Sequence, residues 1–508
     1  MPRRISMSMV LGGLLLAFGV ARLVAEIPLL WEYEARDNAE AIVYGQAMRW
    51  LHHEPLYQPL NSAPYTVTAY MPLYYTLAAV GHVALGPSFL AGRLITLVAS
   101  ICLAATVGLL ARQLTRNWWA AAIGSGLVLT LSFAGPPGPP WLAVYRVDAF
   151  GVALAVGAVT VLAGGASSGQ LTYRRVLAAG LLACLALLTK QTLAAATLAG
   201  GLWLLEQDWR KAVLFGAVVG LPVLLVSAVF EWWTGAFFQN VVTANLNPFD
   251  VTSLVQNLFI LSIFQLGTLL ATLTWVATHG RGGRGSVGRL LVYYWAVALL
   301  PMFGLAKVGS WHNYWIEWSV PMAVLTAATL VSVRPVTSFL QRVVYVVPRV
   351  AMVVSMLLAA FVSIWSVRTA LADWSSQAQR AAELSQVVRC VAASPGASIG
   401  MPMDAVVLAG EPLYVEPAIF TILVDAGVVQ DGPVLDAIRH GGVGVVVMDL
   451  RPEAPQWQHG AGQPIWRPDV LAALREAMEL RSEKAGRMIY RQSRRPGPGR
   501  PRRWSGRR

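Results

Sequence analysis

The 508-residue chain is 56% hydrophobic and only 13% charged, with a formal net charge of +13. Soluble domains carry roughly 25% charged residues, so this composition cannot supply the shell of a water-soluble enzyme of this size. The apolar residues form solid blocks near the ~20 residues a helix needs to cross hydrocarbon, which excludes an outer-membrane barrel built from alternating ~10-residue strands. Seven arginines lie in the last fifteen residues, and without them the net charge falls to +6. Loop arginines that orient a membrane protein explain that remainder, so the basic balance is no argument for nucleic acid. Cys102, Cys184 and Cys390 have neither disulfide nor zinc-type spacing.

Met1-Pro-Arg-Arg precedes an apolar run over about 7–30. The run is too long for a cleaved signal peptide and lacks a small-x-small site, which predicts an uncleaved first helix with its basic end in the cytoplasm. Residues 32–70 form a polar first extracytoplasmic loop with Glu32, Glu34, Arg36, Asp37 and Glu40. Within it, Ala39 to Leu51 places Ile42, Val43, Ala47, Trp50 and Leu51 on one face, the pattern of an interfacial helix. Further apolar runs lie at about 71–86, 91–111, 118–134, 148–164, 176–188, 192–205, 212–230, 257–277, 290–306, 314–332 and 343–365.

Arg112/Arg116, Arg174/Arg175, Arg210/Lys211, Arg281/Arg284/Arg289 and Arg334/Arg342 punctuate these runs and place their loops inside. Counting back from loop 281–289 puts Asp148, Lys190 and Asn245 together outside, whereas counting forward through every run reverses this. The short 71–86 run is therefore read as re-entrant or fused to its neighbour. That leaves about eleven crossings in a helical bundle over residues 1–370, in the plasma (inner) membrane. From Asp373 the composition changes, and residues 371–493 read as a small extracytoplasmic α/β domain. Its elements are a helix at Ala381–Ala392, strands at Val406–Leu408 and Val443–Met448, a helix from Pro468 to about Ser482, and a closing strand at Arg487–Tyr490. Residues 494–508, nearly all Arg, Pro and Gly, read as a disordered tail.

Ionic groups at the ends of membrane runs are costly and therefore informative. Glu34 and Asp37 follow the first helix; as loop acids they are ordinary, but a carboxylate there can also serve an acceptor hydroxyl as general base. Tyr145-Arg-Val-Asp148 follows the Gly135–Pro140 break. Arg146 and Asp148 either pair with each other or hold a phosphate and a metal ion or sugar hydroxyl. Lys190 and Gln191, in Leu187-Leu-Thr-Lys-Gln-Thr192, interrupt about thirty apolar residues, and phosphate binding suits the lysine. Ala244–Phe249 reads as a turn. Lys307-Val-Gly-Ser-Trp-His312-Asn313-Tyr-Trp-Ile-Glu317 is the densest polar cluster; an aromatic interface belt accounts for its rings but not for Lys307 or Glu317. No P-loop, zincin, nucleophile-elbow or paired-cysteine motif competes.

The acidic first loop, PLYY at 72–75, RVDAF at 146–150, LLTKQT at 187–192 and KVGSWHNYWIE at 307–317 together resemble the polytopic glycosyltransferases of the GT-C superfamily. The nearest likeness is to the bacterial Rgt-type/ArnT-like group related to protein mannosyltransferases, over residues 5–365. The resemblance implies a polyprenyl-phosphate-linked sugar as donor and an extracytoplasmic glycan, lipid or protein as acceptor. It implies Asp37, with Glu34 beside it, as catalytic acid residues, and Arg146, Lys190 and Lys307 as donor-phosphate ligands. It further implies Asp148, Gln191, His312, Asn313 and Glu317 as substrate-binding residues; a divalent cation (Mg or Mn) on Asp37 and Asp148 could share the phosphate's charge, but no sequence feature demands one. The first-loop acids are separated by two residues here, which leaves the base open between them. Three other functions remain in view: a transporter or lipid flippase, whose paired repeats are missing from the sequence; a ligase of whole lipid-linked glycans; and a scaffold, which has no use for buried cations.

Overall fold

The computed structural model describes residues 7–132, 141–280, 283–310, 312–332, 339–449 and 464–492. The proline-rich stretch at 135–140, Trp311 and the arginine tail lie outside the described residues. Eight helices among those described are long and apolar enough to cross a membrane, and the chain is a multi-pass membrane protein.

α1 (Met7–Glu26) is followed by α2 (Asn38–Leu51) and α3 (Pro72–Leu85). Then come α4 (Leu90–Thr115), α5 (Trp118–Leu127), α6 (Asp148–Ser168), α7 (Tyr173–Thr189), α8 (Ala195–Leu205) and α9 (Trp209–Thr234). The short α10 (Phe237–Val241) precedes α11 (Val251–His279), α12 (Val287–Val297), α13 (Tyr314–Val331) and α14 (Phe339–Ala392). Close glycine contacts fix the directions. Gly12 meets Ala122 and Gly126 meets Leu15, so α1 and α5 run parallel; Gly151 meets Thr189 and Gly165 meets Arg175, so α6 and α7 run antiparallel.

α3 does not cross. The Tyr74 hydroxyl bonds to Gly92 O and Thr96, Gly81 lies against Ala91, and His82 bonds to Tyr145. Both ends of α3 therefore stay beside the first turns of α4. The eight candidate spans lie in α1, α4, α6, α9 and α11 to α14, with α5 and α8 as shorter apolar helices, so the described residues give eight spans where about eleven crossings were expected. Exposed aromatics mark the two membrane surfaces: Trp118, Trp209 and Tyr173 at one end, Trp31, Trp232 and Trp233 at the other. Between Trp209 and Trp232 a helix rises about 35 Å, the scale of a bilayer core and its interfaces.

α2 departs from the surface-lying helix expected for it. It sits between α3 and a C-terminal helical turn, with Gly45 against Val407 and Leu413, and buries Glu40, Tyr44 and Gln46 as well as its apolar stripe. α14 runs unbroken for 54 residues, roughly 80 Å. The expected boundary at 370 falls inside it, because composition shifts there without any proline or glycine to stop the helix.

Beyond α14 lie β1 (Ala397–Met401), α15 (Asp404–Leu408), α16 (Pro417–Asp425), α17 (Gly432–Arg439), β2 (Val443–Met448), α18 (Pro468–Ala477), β3 (Met478–Lys484) and β4 (Arg487–Gln492). The sheet order is β1-β2-β4-β3, parallel between β1 and β2 and antiparallel elsewhere. Two expectations need correction. Val406–Leu408 is helical, three apolar residues being too few for periodicity to separate helix from strand. The helix from Pro468 ends at Ala477, and Met478–Lys484 turns back on β4 through Ala485-Gly486, both at positive φ, as a tight hairpin turn requires.

Candidate active site

Four loop-to-helix junctions meet at the Trp31/Trp232 end of the bundle. Asp37 N-caps α2, its Oδ1 accepting the Ala39 amide. Asp148 opens α6, where a carboxylate is favoured by the helix dipole. Lys190 terminates α7, and Asn313 precedes α13. Their side chains join in one chain of contacts. Asp37 Oδ2 lies 2.6 Å from Arg146 Nη1, and Arg146 Nε lies 3.4 Å from Asp148 Oδ2. Asp148 Oδ1 accepts from Lys190 Nζ at 2.7 Å and from Asn313 Nδ2 at 2.9 Å. Trp141 stacks on the Arg146 guanidinium, and Tyr70 and Tyr314 face the Lys190 ammonium. Burial pulls the Arg146 guanidinium down, but Asp37, with Tyr70 and Asp148, more than reverses this and keeps it charged.

The other sequence-derived candidates stand apart from this chain. Glu34 faces the C-terminal part, 3.5 Å from Arg380 of α14; burial raises its carboxyl. Gln191 donates to Ala69 O and Val241 O, tying two loops together. Lys307 donates to Asn245 O at 2.9 Å and is lowered by burial. The His312 ring stacks on Trp315, and burial lowers it to about 4, so it is neutral at pH 7. Glu317 lies one turn farther along the buried α13, where it accepts from the Tyr294 hydroxyl. Of ten candidates, the structure brings together Asp37, Arg146, Asp148, Lys190 and Asn313.

No family model matches the sequence, and no curated protein matches it. Solved structures do. ArnT from Cupriavidus metallidurans bound to undecaprenyl phosphate superposes with a TM-score of 0.60 at 13% identity, over 94% of this chain and 98% of that one. The archaeal oligosaccharyltransferase AglB from Archaeoglobus fulgidus, in complex with an inhibitory peptide and a dolichol-phosphate, superposes with a TM-score of 0.54 at 12% identity, over 94% and 74%. The chain has the GT-C fold. At such identity the likeness concerns architecture alone.

Within this GT-C fold, Asp37 and Asp148 do not fit a divalent cation as placed. The Arg146 guanidinium contacts both carboxylates, and Lys190 and Asn313 engage Asp148 Oδ1. Among the described residues no three His, Cys, Asp or Glu side chains converge as metal ligands.

Sequence reasoning missed the pair that supports the site. Glu40 and Arg93, both fully buried, meet at 2.7 Å. Arg93 also donates to Leu29 O, Glu32 O and Glu34 O, while Glu40 Oε1 accepts the Tyr145 amide. The available signal was Arg93 itself, a cation at the start of an apolar run.

Proposed function

We propose that this protein is a membrane glycosyltransferase that moves a sugar from a polyprenyl-phosphate donor to an acceptor outside the cytoplasm. The observation that carries the proposal is the convergence of Asp37, Arg146, Asp148, Lys190 and Asn313 at one membrane face. The donor's hydrocarbon tail must stay in lipid while its phosphate sits at the surface, and a cluster where apolar helices end suits both. Arg112, Arg116, Arg174, Arg175, Arg210 and Lys211 gather at the opposite end. The cytoplasmic preference of Lys and Arg supports an extracytoplasmic site.

Asp37 is the proton acceptor in this reading. Its side chain is 29% exposed, against 3% for Asp148, and unlike the similarly exposed Glu34, which pairs with Arg380, it contacts Arg146 of the cluster. The acceptor hydroxyl attacks the anomeric carbon and gives its proton to Asp37. The bond from that carbon to the phosphate oxygen breaks, and polyprenyl phosphate leaves with the electron pair. Arg146 and Lys190 lie where they can stabilise that charge, worth several kcal/mol in a site sheltered from water. Lys190 has three donors and gives one to Asp148, so it can serve both. Asp148, buried and held by Arg146, Lys190 and Asn313, fixes the two cations in place.

The test is purified protein in lipid nanodiscs, incubated with a cell-envelope extract as acceptor source and a panel of polyprenyl-phosphate sugars and polyprenyl-linked oligosaccharides. Release of polyprenyl phosphate from at least one monosaccharide donor is expected. Consumption of oligosaccharide donors alone points to the ligase, and consumption of none rejects glycosyl transfer.

A further inference from the structure

The C-terminal α/β part grips the loop that carries Asp37. In open α/β sheets the carboxyl ends of parallel strands form the natural ligand edge. Here Asp404 follows β1 at that edge, and Arg487 opens β4 beside the end of β2. Asp404 is 1% exposed, and Arg487 engages both its carboxylate oxygens, Nη2 at 2.9 Å from Oδ2. The edge is occupied by the first loop: Asp404 Oδ2 accepts the Ala35 amide at 3.3 Å.

That amide belongs to the Glu34–Ala35 peptide, whose carbonyl accepts from Arg93 Nη2 at 2.7 Å. In a trans peptide the N–H and C=O point to opposite sides, so one peptide plane is held between the membrane helices and the C-terminal sheet. The next amide, Arg36 N, donates to Glu40 Oε2 at 2.7 Å, and Glu40 Oε1 accepts the amide of Tyr145, next to Arg146. Glu32 and Glu34 are held in turn by Arg380 of α14. The chain Arg487–Asp404–Ala35/Glu34–Arg93–Glu40–Tyr145 thus fixes the backbone beside both members of the Asp37–Arg146 pair.

We infer that Asp404, held by Arg487, is a positioning residue for Asp37, and that the C-terminal part is a working component of the active site. The inference rests on the glycosyl-transfer reading for its catalytic consequence but not for the clamp itself. Displacing a reacting group by an ångström costs on the order of 100-fold in rate, and an unclamped peptide two residues before Asp37 permits such a displacement.

The experiment has two readouts on full-length protein: hydrogen exchange over residues 33–37, and donor turnover with kcat and KM separated. Asp404→Ala should speed exchange at 33–37 and lower kcat by about 10- to 100-fold, with the donor KM little changed. Asp404→Asn keeps a carbonyl acceptor for the Ala35 amide and should recover most of kcat. The double exchange Asp404→Arg with Arg487→Asp restores the ion pair but cannot accept that amide, so the melting temperature should recover while kcat stays low. If Asp404→Ala does not fold, Arg487→Lys, which keeps the charge but loosens the two-point contact, should show the same exchange and kcat changes. Unchanged exchange at 33–37, or a double exchange that restores kcat as well as stability, overturns the inference. A wild-type protein that consumes no donor while Asp404→Ala still loosens 33–37 defeats the functional reading and leaves the clamp standing.

Discussion

Asp148 and Lys190 are each costly in a membrane protein interior and tolerable together. Removing one partner of a buried pair typically costs about 3–5 kcal/mol, because the other charge is left uncompensated. Lys190→Met should therefore lower the melting temperature clearly, and adding Asp148→Asn should recover part of that loss, as thermal unfolding of all three variants will show. Asp37 behaves differently, being partly exposed and paired with an arginine that keeps other contacts. Asp37→Asn should leave stability nearly unchanged and slow donor turnover by about 10²- to 10⁴-fold, the range of a general base. Glu416, ahead of α16 and with its amide on Tyr65 O, gives a pH signature. Burial pushes its carboxyl from 4.5 up to about 8, so across that window the folded protein holds a proton the unfolded chain has released. Stability from this group is full below about 4.5 and is lost as pH rises towards 8. Melting temperatures measured from pH 5 to 8.5 should fall, and Glu416→Gln should flatten the decline.

The elements meet closely where the site is braced. A Cβ built on Gly92 of α4 would lie 1.9 Å from the Tyr145 ring, so the first turns of α4 and the loop before Arg146 touch through a position only glycine can occupy. Gly92→Ala should cost about 1–3 kcal/mol, as overpacking does, and lower donor turnover by shifting Arg146; a melting curve and a turnover assay on one preparation check both. Long apolar runs were legible because period and length both point to membrane helices. α3 was set apart by the positive-inside count rather than by its composition, and what holds it, Tyr74 and His82 bonding to residues 18 and 63 positions away, was not legible. Val406–Leu408 and Met478–Lys484 were misread for the opposite reason, since short segments take their conformation from what they pack against rather than from their own pattern.

On the scale of the whole molecule, the proposed orientation rests on the arginines clustered opposite the site. With the native cysteines replaced, Asn61→Cys should react with a membrane-impermeant thiol reagent in intact cells, and Arg116→Cys should react only after permeabilisation. The candidate site was half legible. Asp37, Arg146, Asp148, Lys190 and Asn313 were found because charge or amide at the edge of an apolar run needs a reason. Lys307 and Glu317 met the same criterion but make no direct contact with the cluster: one donates to a loop carbonyl, the other accepts from Tyr294. Sequence reports which residues are expensive, whereas only folding reports which expenses share a pocket. Glu40–Arg93 and Asp404–Arg487 illustrate the limit, joining residues 53 and 83 positions apart.

The most direct measurement is a cryo-electron microscopy structure of the protein in nanodiscs with polyprenyl phosphate added. The expected density is a phosphate within ~3 Å of both the Arg146 guanidinium and the Lys190 ammonium, beside Asp37, with the hydrocarbon tail leaving towards the lipid. A phosphate seated on Lys307 away from Arg146, or at the Trp118/Trp209 end of the bundle, contradicts it.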